Sequence, residues 1–112
     1  MKLNVGVFFG GESVEHEVSI ISAHQAMEAL DKNKYNVIPV YITKGRKLFV
    51  GEDLWDMNNY TDLKALQEKL TQVSLVLEDN KVVIKPVKTS LFSKKELGTI
   101  DVAIPVMHGT NG

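Results

Sequence analysis

Cysteine is absent from this 112-residue sequence, and neither sign of charge dominates it. Without cysteine the chain can form neither disulfides nor thiolate metal sites, which fits a reducing compartment. The 13 basic and 14 acidic residues leave a net charge of -1, so no basic excess exists for binding nucleic acid or an anionic membrane. The apolar runs are far too short for a signal sequence or a membrane span. These absences predict a cytoplasmic protein that binds neither nucleic acid nor membrane.

Two common nucleotide signatures and the usual spacing of a zinc site are missing as well. The glycines near the N-terminus do not form the G-x-G-x-x-G fingerprint, and no G-x-x-x-x-G-K-[ST] phosphate loop occurs. The three histidines are scattered, and His16 and His24 are eight residues apart rather than the four that place two ligands on one helix face. We therefore predict that this chain alone binds neither ATP nor a metal ion.

The composition that remains is that of one globular domain covering residues 1–112. Hydrophobic residues make up 44% of the chain and charged residues 24%. A chain of this length can bury about two-thirds of the surface that it exposes when unfolded. Because the sequence stops at Met107–Gly112, directly after an apolar strand and inside a glycine-containing loop, we expect a fragment of a longer protein.

The first half of the chain predicts a βαβ unit. The apolar run 3–9 is typical of a strand covered on both faces, and a helical pattern follows from Val14 to Leu30. A second apolar run, Tyr35–Thr43, can lie parallel to the first strand because the connection is long enough for a crossover. Pro39 lacks an N–H, so one side of this strand should be unpaired there. The helix residues predicted to face inward are Ile20, Ala23, Met27 and Leu30, and those predicted to face mostly outward are Glu17, His24, Gln25 and Glu28.

The second half predicts shorter elements around a third core strand. Arg46–Val50 is expected to return as a short edge strand, and Thr61–Leu70 as a short helix. Val73–Leu77 and Lys81–Val87 are expected to pair as a hairpin, since the Asp-Asn pair between them tolerates the positive φ of a tight turn. The apolar run 100–107 is the third predicted buried strand.

Together these elements predict an α/β fold: a three-layer, Rossmann-like domain with a short parallel sheet and added antiparallel hairpin strands. The parallel core is formed by strands 3–9, 36–43 and 100–107 in the order 2-1-3. In open parallel sheets, ligands bind beyond the carboxyl ends of the strands. Gly10–Gly11 and His108–Gly109 follow the first and third strands. Both of these glycine-containing loops therefore lie at one edge of the sheet, where we predict the ligand-binding site.

Glu15 is the leading candidate at this edge. Gly10 and Gly11 let the backbone turn and approach a ligand closely, and Ser13 is placed to cap the following helix. A carboxylate at Glu15 could hold an ammonium group by a charge-assisted hydrogen bond. Glu12, Glu15 and Glu17 also match what dipole complementarity predicts for any helix start, at about 0.3 to 1 kcal/mol each, so both interpretations stay open at this stage.

His108 and the serines of the first helix have similar alternatives. A histidine at the carboxyl end of a strand suits a site, although a lone histidine is more often a structural group. Ser19 and Ser22 have no base partner in a recognisable triad, so nucleophilic catalysis is not predicted.

Two segments resemble one known family. Residues 10–19, Gly-Gly-Glu-Ser-Val-Glu-His-Glu-Val-Ser, are similar to the G-G-x-S-x-E-[HR]-x-V-S signature of D-alanine–D-alanine ligases. Residues 100–112 resemble the strand of the same family that ends in H-G-x-x-G-E-D-G, and this chain stops before its Glu-Asp-Gly. The motifs occur in the family's order, about ninety residues apart, and the resemblance covers the whole chain. It implies the N-terminal, pre-ATP-grasp domain of an ATP-grasp ligase.

The resemblance also implies roles for individual residues in binding the first D-alanine. Glu15 matches the family glutamate that holds the ammonium group, and it is the only catalytic residue implied here. Val18 matches a residue that packs near the methyl group, and Ser19 a hydrogen-bonding group of the same motif. His108 matches a histidine that lines the subsite, and Gly109 permits the turn beside it.

The same resemblance implies what the longer protein does. Such a ligase phosphorylates one D-alanine with ATP, and the acyl phosphate is attacked by the amine of a second D-alanine, giving the dipeptide used in peptidoglycan synthesis. ATP and Mg²⁺ would bind beyond Gly112, so this fragment alone is expected to be inactive. A homodimer through this domain is also implied.

Three alternatives remain open from the sequence. The chain could belong to a ligase that uses D-lactate or D-serine as the acceptor, because acceptor choice is set largely outside this segment. It could be a non-catalytic binding module of flavodoxin-like shape, or it could serve only for dimerisation.

Overall fold

The computed structural model describes residues 2–11, 16–88 and 97–106, which form one seven-stranded mixed sheet with helices. Two 3₁₀ turns, Glu52–Trp55 and Met57–Thr61, precede the second helix. Within the described ranges, no helix is long and apolar enough to cross a membrane. The strands and α-helices, in chain order, are β1 (Leu3–Gly10), α1 (His16–Ala29), β2 (Tyr35–Ile42), β3 (Leu48–Val50), α2 (Leu63–Lys69), β4 (Thr71–Glu78), β5 (Lys81–Pro86), β6 (Gly98–Ile100) and β7 (Val102–Val106).

The predicted parallel core is confirmed. The sheet order is β6-β5-β4-β3-β2-β1-β7, and β1 pairs in parallel with β2 on one side and β7 on the other. The other four pairings are antiparallel, including the predicted β4–β5 hairpin. Asp79 and Asn80 at its turn have φ of 51° and 64°, as their tolerance of positive φ predicted.

The two faces of β1 pack against different partners because side chains alternate along a strand. Val5, Val7 and Phe9 are at most 2% exposed and pack with α1, α2 and the first 3₁₀ turn. Phe8 points the other way and packs against a second cluster that includes Val73 of β4. Helices thus cover one face of the parallel strands and hairpin strands the other. The predicted α/β class, with a short parallel core and added antiparallel strands, is confirmed.

The helix patterns predicted most of the packing correctly. Ile20, Ala23 and Met27 of α1 are 4% exposed or less, and Leu66 of α2 is 1% exposed. His24, predicted to face mostly outward, is a correction: it lies half-buried, with Nδ1 2.8 Å from the Ile20 carbonyl and Nε2 2.8 Å from the Leu54 carbonyl. Its ring also meets the buried Phe9 ring edge to face, which a helical period alone does not reveal.

Two strand predictions need correction. The predicted edge strand at 46–50 is Leu48–Val50, and it lies inside the sheet because β2 pairs with one side and β4 with the other. Its contact with β2 involves only Tyr41 and Ile42. Pro39 therefore faces an unpaired side, as predicted.

The predicted third buried strand, 100–107, is interrupted at Asp101. β6 pairs with β5 before this point and β7 pairs with β1 after it. Asp101 joins the two segments, since its carboxylate accepts a hydrogen bond from the Asn4 N–H (2.7 Å) and its own N–H donates to the Asn4 carbonyl (2.8 Å). β7 lies at the end of the sheet order, and Val102 is 42% exposed, so this strand is not buried as predicted.

Candidate functional site

The carboxyl ends of β1 and β7 are direct neighbours. Phe9 pairs with Val106, and Gly10 pairs with Ile42 of β2. The strand ends that lead into the two sequence motifs therefore lie on one edge of the sheet, as the sequence predicted. The predicted site residues Glu15, His108 and Gly109 lie outside the described residues, so their roles stay predictions.

The turn after β1 requires glycine at its first position. Gly10 has a φ of 100° and Gly11 a φ of 92°, a backbone region that side chains strongly disfavour. A Cβ atom on Gly10 would lie 2.2 Å from the Ile42 carbonyl oxygen. The N–H of Gly11 donates to that same oxygen at 2.8 Å. The turn thus packs closely against the end of β2 and is hydrogen-bonded to it.

Ser19, predicted to belong to the substrate-binding motif, lies in the first turn of α1 and is fully buried. Its Oγ accepts a hydrogen bond from the N–H of Gly10 at 2.9 Å and donates one to the Val106 carbonyl. One hydroxyl therefore joins the ends of β1 and β7 to the start of α1. The motif drew attention to Ser19, but its bond to a carbonyl 87 residues away has no sequence signal.

We expect Ser19→Ala to lower the free energy of unfolding by about 2 kcal/mol. The substitution leaves a buried N–H at Gly10 and a partly buried carbonyl at Val106 without their partner, and an unsatisfied buried group costs about 1 to 3 kcal/mol before relaxation. Urea unfolding followed by circular dichroism measures the difference. Ser74→Ala, at an exposed position of β4, is the control and should change stability by less than about 0.5 kcal/mol. Equal effects in the two variants would contradict the tethering role of Ser19.

Val18, the other described residue of the predicted subsite, lies beside Ser19 on α1 and is 47% exposed. Ile21, one helical turn further, is 51% exposed, and Met57 of the second 3₁₀ turn is 41% exposed. Ile21 and Met57 line one shallow depression. Exposed apolar side chains therefore continue along α1 from Val18 of the predicted subsite to Ile21.

The sequence analysis did not identify the pair formed by His16 and Tyr41. The His16 ring is 2% exposed, with Nδ1 2.5 Å from the Gly11 carbonyl oxygen and Nε2 2.8 Å from the Tyr41 hydroxyl. Burial raises the pKa of Tyr41 to about 12, so its hydroxyl is protonated at neutral pH. His16 occupies a histidine position of the first motif, but nothing in the sequence links it to Tyr41.

The described part of the site contains the start of a helix and no cluster of metal ligands. The start of a 14-residue α-helix carries a partial positive charge, which favours an anionic group nearby. Among residues 2–11, 16–88 and 97–106, no group of three acidic, histidine or cysteine side chains could hold a metal ion. Within these ranges, the start of α1 is thus the feature whose charge suits an anionic ligand group.

Comparisons with known proteins agree on one family. A family model described as "D-ala D-ala ligase N-terminus" matches residues 4–112. A D-alanine–D-alanine ligase of Thermosipho melanesiensis is 43% identical over 111 residues, which cover 98% of this chain and 29% of that protein. The corresponding ligase of Thermosipho africanus is 45% identical, with coverage of 98% and 28%. The chain thus spans less than a third of the length of these curated relatives.

Solved structures of ligases also match this chain over nearly its whole length. The D-alanine-D-alanine ligase of Coxiella burnetii matches with a TM-score of 0.72 at 26% identity, over 99% of this chain and 30% of that one. The VanG D-Ala:D-Ser ligase of Enterococcus faecalis matches with a TM-score of 0.67 at 27% identity, over 100% of this chain and 31% of that one.

Proposed function

This chain belongs to the family of D-alanine–D-alanine ligase N-terminal domains, and on that premise we propose that it forms the first-substrate subsite of such a ligase. The full-length protein would join two D-alanines with ATP hydrolysis, through an acyl phosphate, for peptidoglycan synthesis. The observation that carries this proposal is the adjacency of the ends of β1 and β7, which Ser19 bonds together. It supports a subsite made jointly by the two motifs that follow these strands.

Each motif residue has a proposed task in this subsite. Glu15 would bind the ammonium group of the first D-alanine, and Val18 would pack near its methyl group. His108 would line the subsite, and Gly109 would permit the turn beside it. The partial positive charge at the start of α1 would favour the substrate carboxylate and the acyl phosphate formed from it. Ser19 would support the subsite indirectly, because its buried hydroxyl is already hydrogen-bonded to the N–H of Gly10 and the carbonyl of Val106.

ATP and Mg²⁺ belong to this proposal only for the full-length protein. The described residues do not fit a metal site, since they hold no suitable ligand cluster. On the family resemblance, we propose that ATP and Mg²⁺ bind to the part of the protein beyond this chain. Because the reaction consumes ATP, we propose a cytoplasmic location.

The test is an assay of ATP-dependent joining of D-alanine by the full-length protein. Release of phosphate should depend on D-alanine, and the product should be D-alanyl-D-alanine. The purified fragment 1–112, assayed in parallel, should release no phosphate. Absence of ligation by the full-length protein would contradict the proposed function, and activity of the fragment would contradict the assignment of ATP to the missing part.

The acceptor needs a separate comparison, because one structural neighbour is a D-Ala:D-Ser ligase. We propose D-alanine because the curated relatives above, at 43% and 45% identity, are D-alanine–D-alanine ligases. Identity to the solved structures does not separate the acceptors, at 26% for the Coxiella burnetii ligase and 27% for this neighbour. Competition assays with D-serine and D-lactate beside D-alanine decide among the three. Preferential formation of a mixed product would reassign the acceptor while leaving the first subsite as proposed.

We also propose that the full-length protein is a homodimer that uses this domain. The apolar surface of Ile21 and Met57 supports this, since these two side chains are 51% and 41% exposed and line one depression. Covering such a surface with a second copy removes apolar area from water. Sedimentation equilibrium measures the oligomeric state, and a monomer at micromolar concentration would contradict the proposal.

A further inference from the structure

His24 of α1 is held between two backbone carbonyl groups. Its Nδ1 lies 2.8 Å from the Ile20 carbonyl oxygen, and its Nε2 lies 2.8 Å from the Leu54 carbonyl oxygen. A carbonyl oxygen can only accept a hydrogen bond, so each contact is a hydrogen bond only where the ring nitrogen carries a proton. A neutral imidazole has one such proton, whereas the imidazolium ion has two. Both contacts are therefore satisfied together only in the charged form of the ring.

Loss of either proton makes one of the two contacts unfavourable. The deprotonated nitrogen then points its lone pair at a carbonyl oxygen 2.8 Å away, and both groups are acceptors. To relieve this, the ring must rotate or the two carbonyl groups must separate. His24 is only half-buried and lines a shallow surface depression, so water can supply and remove its protons. The contact can therefore respond to the pH of the solution.

The two carbonyl groups belong to different elements, so the His24 ring links these elements. Ile20 lies in α1, and Leu54 lies in the first 3₁₀ turn. Leu54 is fully buried, and its carbonyl also accepts a hydrogen bond from the Tyr60 hydroxyl at 2.6 Å. Tyr60 belongs to the second 3₁₀ turn. The Leu54 carbonyl is thus the point at which both turns of segment 52–61 are joined to α1.

The groups around the His24 ring are mostly uncharged. The rings of Phe9 and Tyr60 meet it edge to face. Burial, and to a smaller extent the charge of Tyr41, raises the pKa of Tyr60 far above its usual range, so its hydroxyl keeps its proton around neutral pH. The other residues that line the depression with His24 are Gln25, Glu28, Ala29, Trp55 and Met57. Glu28 is the charged side chain in this set, and its negative charge favours the imidazolium ion.

We propose that the contact of His24 with Ile20 and Leu54 is pH-sensitive: it is complete when the ring is doubly protonated, and it holds segment 52–61 less firmly against α1 as the pH rises. The segment carries Met57, whose exposed side chain lines a depression with Ile21 of α1. The pH therefore controls how firmly one side of this apolar surface is held. The inference does not depend on the proposed function, because it concerns only contacts among described residues.

Hydrogen exchange of segment 52–61, followed by mass spectrometry in the full-length protein, tests the contact. After correction for the intrinsic exchange rate, protection of the segment should fall about tenfold between about pH 5.5 and about pH 8, as expected for one hydrogen bond to a charged group. His24→Gln offers an uncharged amide donor at every pH and should remove this dependence. A dependence that persists in His24→Gln, or its absence in the wild-type protein, would overturn the inference.

Tyr60→Phe is the matched control, because it removes the other hydrogen bond to the Leu54 carbonyl. This variant should lower the protection of segment 52–61 at both pH values and leave the ratio between them unchanged. A ratio as small as that of His24→Gln would overturn the inference, since the pH effect would then not belong to the histidine.

A second readout requires no variant. In nitrogen-15-labelled protein, ring N–H protons are visible by NMR where hydrogen bonds slow their exchange with water. At about pH 5.5 we expect visible protons on both ring nitrogens of His24, identified by their proximity to the Phe9 and Tyr60 rings. A visible proton on only one nitrogen, or on neither, would overturn the inference even where His24→Gln does not fold.

Discussion

Full-length protein carrying Glu15→Gln is expected to lose at least about two orders of magnitude in kcat/KM for the first D-alanine, roughly 3 kcal/mol of transition-state stabilisation. Glutamine keeps the shape of the side chain and removes the negative charge that we propose binds the substrate ammonium group. A charge-assisted hydrogen bond is about twice as strong as a neutral one, so its loss should dominate the effect. Steady-state kinetics with varied D-alanine at saturating ATP measure the change.

Glu17→Gln is the matched control for this prediction. Glu17 lies exposed in the first turn of α1, and its charge complements the same helix start. Its loss should remove only the dipole contribution, about 0.3 to 1 kcal/mol, and leave kcat/KM within about fivefold. Equal losses in the two variants would show that the glutamates act only on the helix. An unaffected Glu15→Gln would place the ammonium site elsewhere.

Gly10→Ala is expected to destabilise the fold by more than about 3 kcal/mol. A φ of 100° is strained for any residue with a side chain, at about 1 to 3 kcal/mol. The added methyl carbon would also lie 2.2 Å from the backbone oxygen of Ile42, which cannot move without breaking its bond to Gly11. Urea unfolding, or loss of soluble expression where the variant does not fold, reports the effect.

Gly45→Ala provides the comparison at a second turn. A Cβ atom on Gly45 would have its nearest neighbour, Thr43 Oγ1, at 3.7 Å, an ordinary contact. The substitution also reduces the entropy of the unfolded chain. We therefore expect a change of less than about 1 kcal/mol in either direction. A Gly10→Ala protein as stable as Gly45→Ala would contradict the described geometry of the first turn.

Local rules were sufficient for the parts of the fold that depend on local physics. The period of α1 identified Ile20, Ala23 and Met27 as core residues, because a helix buries one stripe. The Asp79–Asn80 turn followed from the tolerance of these residues for positive φ. The missing N–H of Pro39 correctly indicated an unpaired side of β2.

The errors arose where pairing partners are distant in the chain. Nothing within 46–50 indicates that β4 pairs with its second side, so the short run predicts an edge strand although the strand lies inside the sheet. The apolar run at 100–107 pairs first with β5 and then with β1, and apolarity alone does not show the break at Asp101. Sequence periodicity reports burial but does not identify the partner.

The candidate site likewise has one part that the sequence predicted and one part that it did not. The motifs identified residues near the ligand through resemblance, and the two strand ends were correctly placed on one edge. The bonds that hold this edge together join His16 to Tyr41, 25 residues away, and Ser19 to Val106, 87 residues away. Such long-range pairs have no periodic pattern, and a single sequence cannot reveal them.

The junction at Asp101 also constrains the order in which the domain can fold. Asn4 and Asp101 exchange hydrogen bonds across 97 positions of sequence, so the pairing of β1 with β7 has a high contact order. At roughly 5 to 20 residues per second, the ribosome needs on the order of 5 to 20 s to deliver the second partner after the first. During that time one side of β1 lacks its native neighbour. This strand is therefore the segment of the nascent chain at which we expect chaperone binding and mispairing to concentrate.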